Sequence, residues 1–239
     1  MTESKIDFSV VIPAYNEEKT LPQCIKAIKN LAGGFNTGII VVDNNSTDKT
    51  RLVAESFGVK VVDESRQGVG AARRRGTEEA QGEFVVHVDA DTYLPPEYLI
   101  EAKKRFDKKP KLVCLSGQFY FYDGSWYLNL LRPVLFFLFW LFGVTMSRGK
   151  LGPIGGDMVF RKKDYDRTSG FDPRLKFGED GDISRKFSAF GKVELDMSLH
   201  CYISSRRFGF NRKSWINLLN FIWFCIFNRP YINGHELKD

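Results

Sequence analysis

Cysteine pairs, early glycines and long apolar runs are what this chain lacks, and each absence excludes a class of protein. Its 239 residues hold four cysteines, Cys24, Cys114, Cys201 and Cys225, far apart and with no C-x-x-C pair. A zinc or disulfide framework is thereby excluded, and reduced, mostly buried thiols are expected. The turn after the first apolar run reads Pro13-Ala14-Tyr15-Asn16-Glu17, without a glycine. A dinucleotide-binding Rossmann sheet places G-x-G-x-x-G there so that backbone can approach a pyrophosphate, and no P-loop occurs in the chain either. Met1 to Asp7 is polar, with no signal-peptide core, which predicts a cytoplasmic protein. The longest apolar run, after Pro133, is about fourteen residues, short of the ~20 that span a bilayer. Acids are missing from Gly124–Gly156 and again from Ile203–Pro230.

What is present fits a large globular domain. The hydrophobic fraction is 43% and the charged fraction 27%, both ordinary values. The net charge of +6 suits an anionic membrane surface or a phosphorylated substrate as well as nucleic acid. A nucleic-acid binder should carry a continuous basic stripe. The cations here flank apolar segments instead, so nucleic acid is not an expected partner.

Along the first ninety residues, apolar runs alternate with helical spacing. Phe8–Ile12, Ile39–Val42, Val59–Val62 and Phe84–Asp89 read as strands. Leu21, Cys24, Ile25 and Ile28 mark one intervening helix, Lys49–Phe57 and Gly68–Ala80 the others. The Asp43-to-Asp48 cluster is expected to cap the second helix with side-chain oxygens. This alternation predicts an α/β protein with a mostly parallel, Rossmann-like sheet and helices on both faces. Ligands of such sheets sit beyond the strands' carboxyl ends, where Tyr15 and Asn16, Asp43 and Asn44, and Asp89 and Asp91 fall.

Asp89-Ala90-Asp91 is therefore the central motif. If the strand pattern continues that far, its two carboxylates share a face and suit Mg²⁺ or Mn²⁺ completed by substrate phosphates. The same spacing recurs at Asp164-Tyr165-Asp166, in a basic run taken as surface, and at Asp180-Gly181-Asp182 at a helix start. His87 is expected to be a packed strand histidine.

Taken in order, Val10-Val11-Ile12-Pro13-Ala14-Tyr15-Asn16-Glu17, Val42-Asp43-Asn44-Asn45-Ser46-Thr47-Asp48, Gly68-Val69-Gly70-Ala71-Ala72-Arg73, Asp89-Ala90-Asp91, Gly170-Phe171-Asp172 and Gly178-Glu179-Asp180-Gly181-Asp182-Ile183 resemble the family 2 glycosyltransferases. The resemblance covers roughly residues 7–195. It implies the GT-A nucleotide-diphospho-sugar transferase fold and inverting transfer from a nucleotide sugar. Carried over, it places Pro13, Ala14, Tyr15, Glu17 and Asp43 at the donor's base and ribose, and Arg73 near its phosphates or bracing the loop around them. It makes Asp89 and Asp91 ribose- and metal-contacting acids, with Asp91 the more direct ligand of a divalent metal (Mn²⁺ or Mg²⁺). Asp180 becomes the catalytic base with Glu179 beside it. Asp157 and Gly156 become donor-sugar or acceptor contacts, and His200 a further metal ligand. Where the family usually has Ala-Arg-Asn, this chain has Ala72-Arg73-Arg74, and Arg74 is expected to face solvent.

These readings divide the chain into a catalytic domain at 1–203, with an apolar helical insertion near 126–147, and a basic-aromatic segment at 204–239. Aromatic-rich apolar helices flanked by cations match anchors on an anionic leaflet. Core packing and a single span through 128–146 are the alternatives. Arg206 and Arg207 suit an anionic acceptor or the donor phosphates. The expected protein transfers a sugar from a UDP- or GDP-sugar to a lipid-linked or glycan acceptor at the cytoplasmic membrane face. A polyprenyl-phosphate sugar synthase and a non-catalytic nucleotide-sugar-binding protein are the competing readings.

Overall fold

The first strand, β1 (Phe8–Ala14), is buried along nearly its whole length, because apolar residues occupy both of its alternating faces. Val10 and Ile12 point into one core and Val11 into another. The computed structural model to which β1 belongs describes residues 5–124, 157–175 and 178–207, with isolated positions at 126, 129, 130, 137, 141, 219 and 223. Gly156 and most of 126–147 and 204–239 lie outside the described residues.

The remaining elements follow in chain order: α1 (Leu21–Lys29), β2 (Thr37–Asp43), α2 (Thr50–Ser56), β3 (Lys60–Asp63), α3 (Val69–Glu78), β4 (Phe84–Val88), β5 (Thr92–Tyr93), α4 (Tyr98–Lys108), β6 (Leu112–Phe121), β7 (Asp157–Arg161), α5 (Lys162–Tyr165), α6 (Glu179–Ser188) and β8 (Lys192–Ile203). A 3₁₀ turn, Ser205–Arg207, follows β8. The strands form one sheet in the order β3-β2-β1-β4-β7-β6-β8-β5. Its first half is parallel throughout. Beyond β4 it is mixed, with β7 antiparallel to both neighbours, β8 parallel to β6, and β5 antiparallel to β8.

Proline does not end β1, contrary to the expectation for Pro13, which pairs with Val42. The Ala14 carbonyl accepts the Asn44 N–H, so alternation turns Pro13's missing N–H toward β4, whose pairing with β1 already ended at Val11 and His87. The ladder loses no bond there.

Two cores flank the sheet. Leu21, Ile25, Leu99 and Phe106 from α1 and α4 cover one face. Ala72, Phe171, Ile183 and Phe187 cover the other. Helix α3 approaches β1 and β2 so closely that a Cβ on Gly76 would lie 2.2 Å from Val11 Cγ1 and 2.8 Å from Val42 Cγ2. Cys24, Cys114 and Cys201 are buried free thiols, as expected from their spacing.

Candidate active site

Parallel register brings the carboxyl ends of β1, β2 and β4 to one edge. Ala14 stands opposite Asp43, and β4 stops at Val88 beside them. The loops that follow are bonded to each other. Asn16 N–H donates to Ser46 Oγ at 3.1 Å, Glu17 N–H to Thr50 Oγ1 at 2.7 Å and Glu18 N–H to Asp48 Oδ2 at 3.1 Å. The Asn16 carboxamide returns an acceptor to Thr47 N–H at 2.8 Å. Asn16 does this at φ 55°, a conformation Asn reaches more readily than most residues. Asp48 Oδ1 accepts the Thr50 N–H at 2.9 Å, the capping role expected of its cluster. Asp43 is buried and turns Oδ1 to Ser46 N–H at 3.2 Å. Asn44 ties down the next loop through Glu64 O, Arg66 O and Gly68 N. Tyr15 stays exposed at the rim.

The two acids of the central motif do not share a strand face. The Asp89 carbonyl accepts the Thr92 N–H at 2.9 Å, so residues 89–92 form a tight turn just past β4. The carboxylates diverge and hold separate cations. Asp89 Oδ1 accepts from Arg73 Nη2 at 3.1 Å, and the same guanidinium lies 3.3 Å from Glu179 Oε1. Asp91 Oδ2 accepts from Arg206 Nε at 2.9 Å, while Arg206 Nη2 bonds both Glu17 oxygens at 2.7 Å.

Asp180 opens α6 beside Glu179, after Gly178 turns the chain at φ 77°. Its Oδ1 accepts the Gly181 N–H at 2.7 Å. Burial pushes the Glu179 carboxyl up to about 7; Arg73 opposes this and the Asp180 charge adds to it. The Asp180 carboxyl is raised too, chiefly by burial against the pull of Arg73. Burial works against the Arg73 charge, but Glu179, Asp89 and Asp180 outweigh it and keep the guanidinium protonated. Glu179, raised to about 7 beside a buried cation, can take up a proton near neutral pH.

The profile of glycosyl transferase family 2 matches residues 9–168. The chain belongs to that family. Over 104 residues it is 39% identical to a dolichol-phosphate mannosyltransferase of Pyrococcus furiosus, covering 40% of this chain and 30% of that protein. Over 115 residues it is 32% identical to a poly(ribitol-phosphate) beta-N-acetylglucosaminyltransferase of Staphylococcus aureus, covering 45% of this chain and 20% of that protein. Both matches span less than half of the relative's length. Among solved structures, a mannosyltransferase from Pyrobaculum calidifontis in complex with GDP-Man and Mn²⁺ matches with a TM-score of 0.70 at 20% identity. That match covers 92% of this chain and 64% of the other. A Mycobacterium tuberculosis glucosyl-3-phosphoglycerate synthase with Mn²⁺, UDP-glucose and phosphoglyceric acid matches at 0.63 and 20%, covering 92% and 80%. At these identities the likeness is one of fold, and that fold is GT-A.

Within this family 2 domain, other residues of the sequence reading take distinct places. Asp157 is buried, with Tyr98 Oη donating to Oδ2 at 2.6 Å, Gly117 N–H at 3.1 Å and Ser116 Oγ at 3.3 Å from Oδ1. A direct sugar contact would require it to leave these partners. His200 sits on β8 with Tyr120 and Tyr202 edge-on at 5.5 Å. His87 meets Thr77 Oγ1 at 2.9 Å and stacks on Phe160; burial, and then Arg73, hold it well below its usual range. Arg74 pairs with Glu78 at 3.0 Å on a half-exposed face. Asp164 and Tyr165 are buried rather than superficial, because the Tyr165 ring stacks on Phe160 and its hydroxyl accepts the Phe171 N–H.

Asp123 went unnoticed in the sequence. It accepts Ser204 Oγ at 2.5 Å and Ser205 N–H at 2.6 Å, fixing the turn that bears Arg206. Burial works against its charge, but these bonds outweigh it and hold the carboxyl below its usual range. A domain boundary at 203/204 would cut between β8 and this turn.

Proposed function

We propose that the chain is the catalytic part of an inverting glycosyltransferase that moves a sugar from a UDP- or GDP-sugar to a lipid-linked or glycan acceptor. The observation that carries this reading is the convergence, at one edge of the GT-A sheet, of an acid pair bridged by Arg206 and a second acid cluster, Glu179 and Asp180, whose carboxyls burial raises. Tyr15, Pro13, Ala14 and Asp43 line the edge where base and ribose would lie.

Asp91 and Glu17 suit a divalent ion. Both are nearly buried hard-oxygen donors, and a guanidinium already stands where a cation would. Among the described residues no three His, Cys, Asp or Glu side chains are grouped to hold a metal. Phosphate and water oxygens would complete such a shell. A bound Mn²⁺ or Mg²⁺ would supply Lewis-acid neutralisation of the leaving diphosphate.

The chain's own residues account for the rest. The acceptor oxygen attacks the anomeric carbon, the carbon–oxygen bond to the diphosphate breaks with its electron pair leaving on phosphate, and Asp180 takes the acceptor's proton. Glu179 stands beside Asp180, and Arg73 lies between Glu179 and Asp89. Asp157 fixes β6, β7 and α4 behind the site.

The test is a metal-supplemented screen of UDP- and GDP-sugars for binding and slow hydrolysis by wild type and Asp180→Asn. The reading fails if no nucleotide sugar binds. A polyprenyl-phosphate acceptor is favoured by the Pyrococcus furiosus match. Such an acceptor oxygen is already ionised, so near-normal turnover of Asp180→Asn would select it.

Membrane docking forms part of the same reading. Trp126, Leu130, Phe137 and Leu141 are exposed apolar residues in helical conformation. No helix among the described residues is long and apolar enough to cross a membrane. Flotation with anionic liposomes is expected, and a protein left wholly at the bottom of the gradient would end this part of the proposal.

A further inference from the structure

We infer that Arg206 is an internal counter-ion that a divalent metal displaces, so that metal entry and release of the Arg206 side chain are one exchange event. The inference rests on the proposed role of Asp91 in metal binding.

Its fork engages Asp91 through Nε at 2.9 Å and Nη2 at 2.8 Å, and both Glu17 oxygens through Nη2 at 2.7 Å. The acids are almost buried, at 8% for the Glu17 side chain and 6% for Asp91, whereas the Arg206 side chain is 39% exposed. Two desolvated carboxylates facing one site repel each other unless a cation lies between them. Arg206 supplies that cation, and its exposure gives the side chain a path to water once another cation takes its place.

The backbone carrying Arg206 is set up for this. Asp123 clamps Ser204 and Ser205, and strand pairing of Thr92 with Ile203 keeps the turn beside Asp91. The side chain can therefore swing while its Cα stays in place. Once released, the planar guanidinium lies next to the position of a donor diphosphate, the anion it matches in two-pronged fashion. The nucleotide thereby gives Arg206 a new partner and draws the exchange forward. Metal alone binds weakly, and metal with nucleoside diphosphate binds with mutual reinforcement.

The experiment compares Mn²⁺ binding, read from the spin-resonance signal of free Mn²⁺, to wild type and Arg206→Gln, each with and without UDP or GDP. Without nucleotide, Arg206→Gln is expected to bind Mn²⁺ roughly fivefold to tenfold more tightly than wild type, and nucleotide should narrow that gap. Equal or weaker binding by the variant overturns the exchange. In wild type, the Arg206 Nε–H resonance, assigned by its loss in Arg206→Lys, should collapse or move on titration with Mg²⁺. A resonance unmoved at saturating Mg²⁺ also overturns it, and this arm needs no variant that must fold without its arginine. Absence of Mn²⁺ binding in every sample, nucleotide included, removes the metal reading itself together with the exchange. Tight wild-type binding indifferent to Arg206 removes the exchange alone.

Discussion

The two arginine clusters at the sheet edge use the same chemistry with opposite exposure. Arg73 is only 5% exposed, between Asp89 and Glu179, and Arg206 is 39% exposed against Glu17 and Asp91. Desolvation makes the difference. A buried cation among acids cannot be withdrawn without leaving charges stranded, whereas a half-exposed cation has a path to water when another cation takes its place between the acids. The Arg73 cluster is built as a fixed part of the domain and the Arg206 cluster as a replaceable one.

The largest effect should come from the base in the fixed cluster. Asp180→Asn is expected to lower turnover of a hydroxyl acceptor by about 10²- to 10⁴-fold while nucleotide-sugar affinity, measured by calorimetry, stays near wild type. A variant with intact turnover on every acceptor would remove Asp180 from the chemistry. Next is Arg73→Met, which strands Asp89 and Glu179. Urea unfolding should show a loss of about 3–5 kcal/mol, and a loss below 1 kcal/mol would make the two clusters equivalent. Arg206→Gln leaves Glu17 and Asp91 without this counter-ion and should also destabilise, but by less than Arg73→Met in the same assay, because Arg206 is 39% exposed and Arg73 5%; a loss as large as that of Arg73→Met would abolish the contrast from the other side.

A further effect concerns pH. Glu179 is raised from its ordinary value of 4.5 to about 7, so the folded protein binds a proton there that the unfolded chain has released. The stability this contributes is fully present below about 4.5 and is lost as pH rises through about 7. Melting temperatures of Glu179→Gln should therefore fall less than those of wild type between pH 4.5 and 7. Melting temperatures that fall in parallel would contradict the shift.

The parallel half of the sheet was legible from residue order. Its strands are short apolar runs joined by helices with clear spacing, so β1 to β4 and their polar ends could be placed directly. The other half was not. Strand β6 carries Ser116-Gly117-Gln118 in its middle, with a register shift there, and β8 shows no clean alternation. Both are strands because they pair with each other across about eighty residues, a partnership that no local window contains. The motif at Asp89 was correctly located, but its strand geometry was not, since Thr92 draws the chain into a turn. Asp157 was singled out by its glycine neighbours, and its burial depends on Tyr98 from a helix that sequence spacing did not mark. Asp123 had no local signal, because its partners lie some eighty positions downstream.

The contact between Arg206 and Glu17 spans 189 positions of the chain. Closing so wide a loop is entropically costly and comes late unless intervening structure has already shortened it. During synthesis, the Asp91–Glu17 acids exist long before residue 206 leaves the ribosome. A nascent or truncated chain ending before that turn would lack this counter-ion of Asp91 and Glu17, so the Arg206 contact forms only once nearly the whole domain has been made.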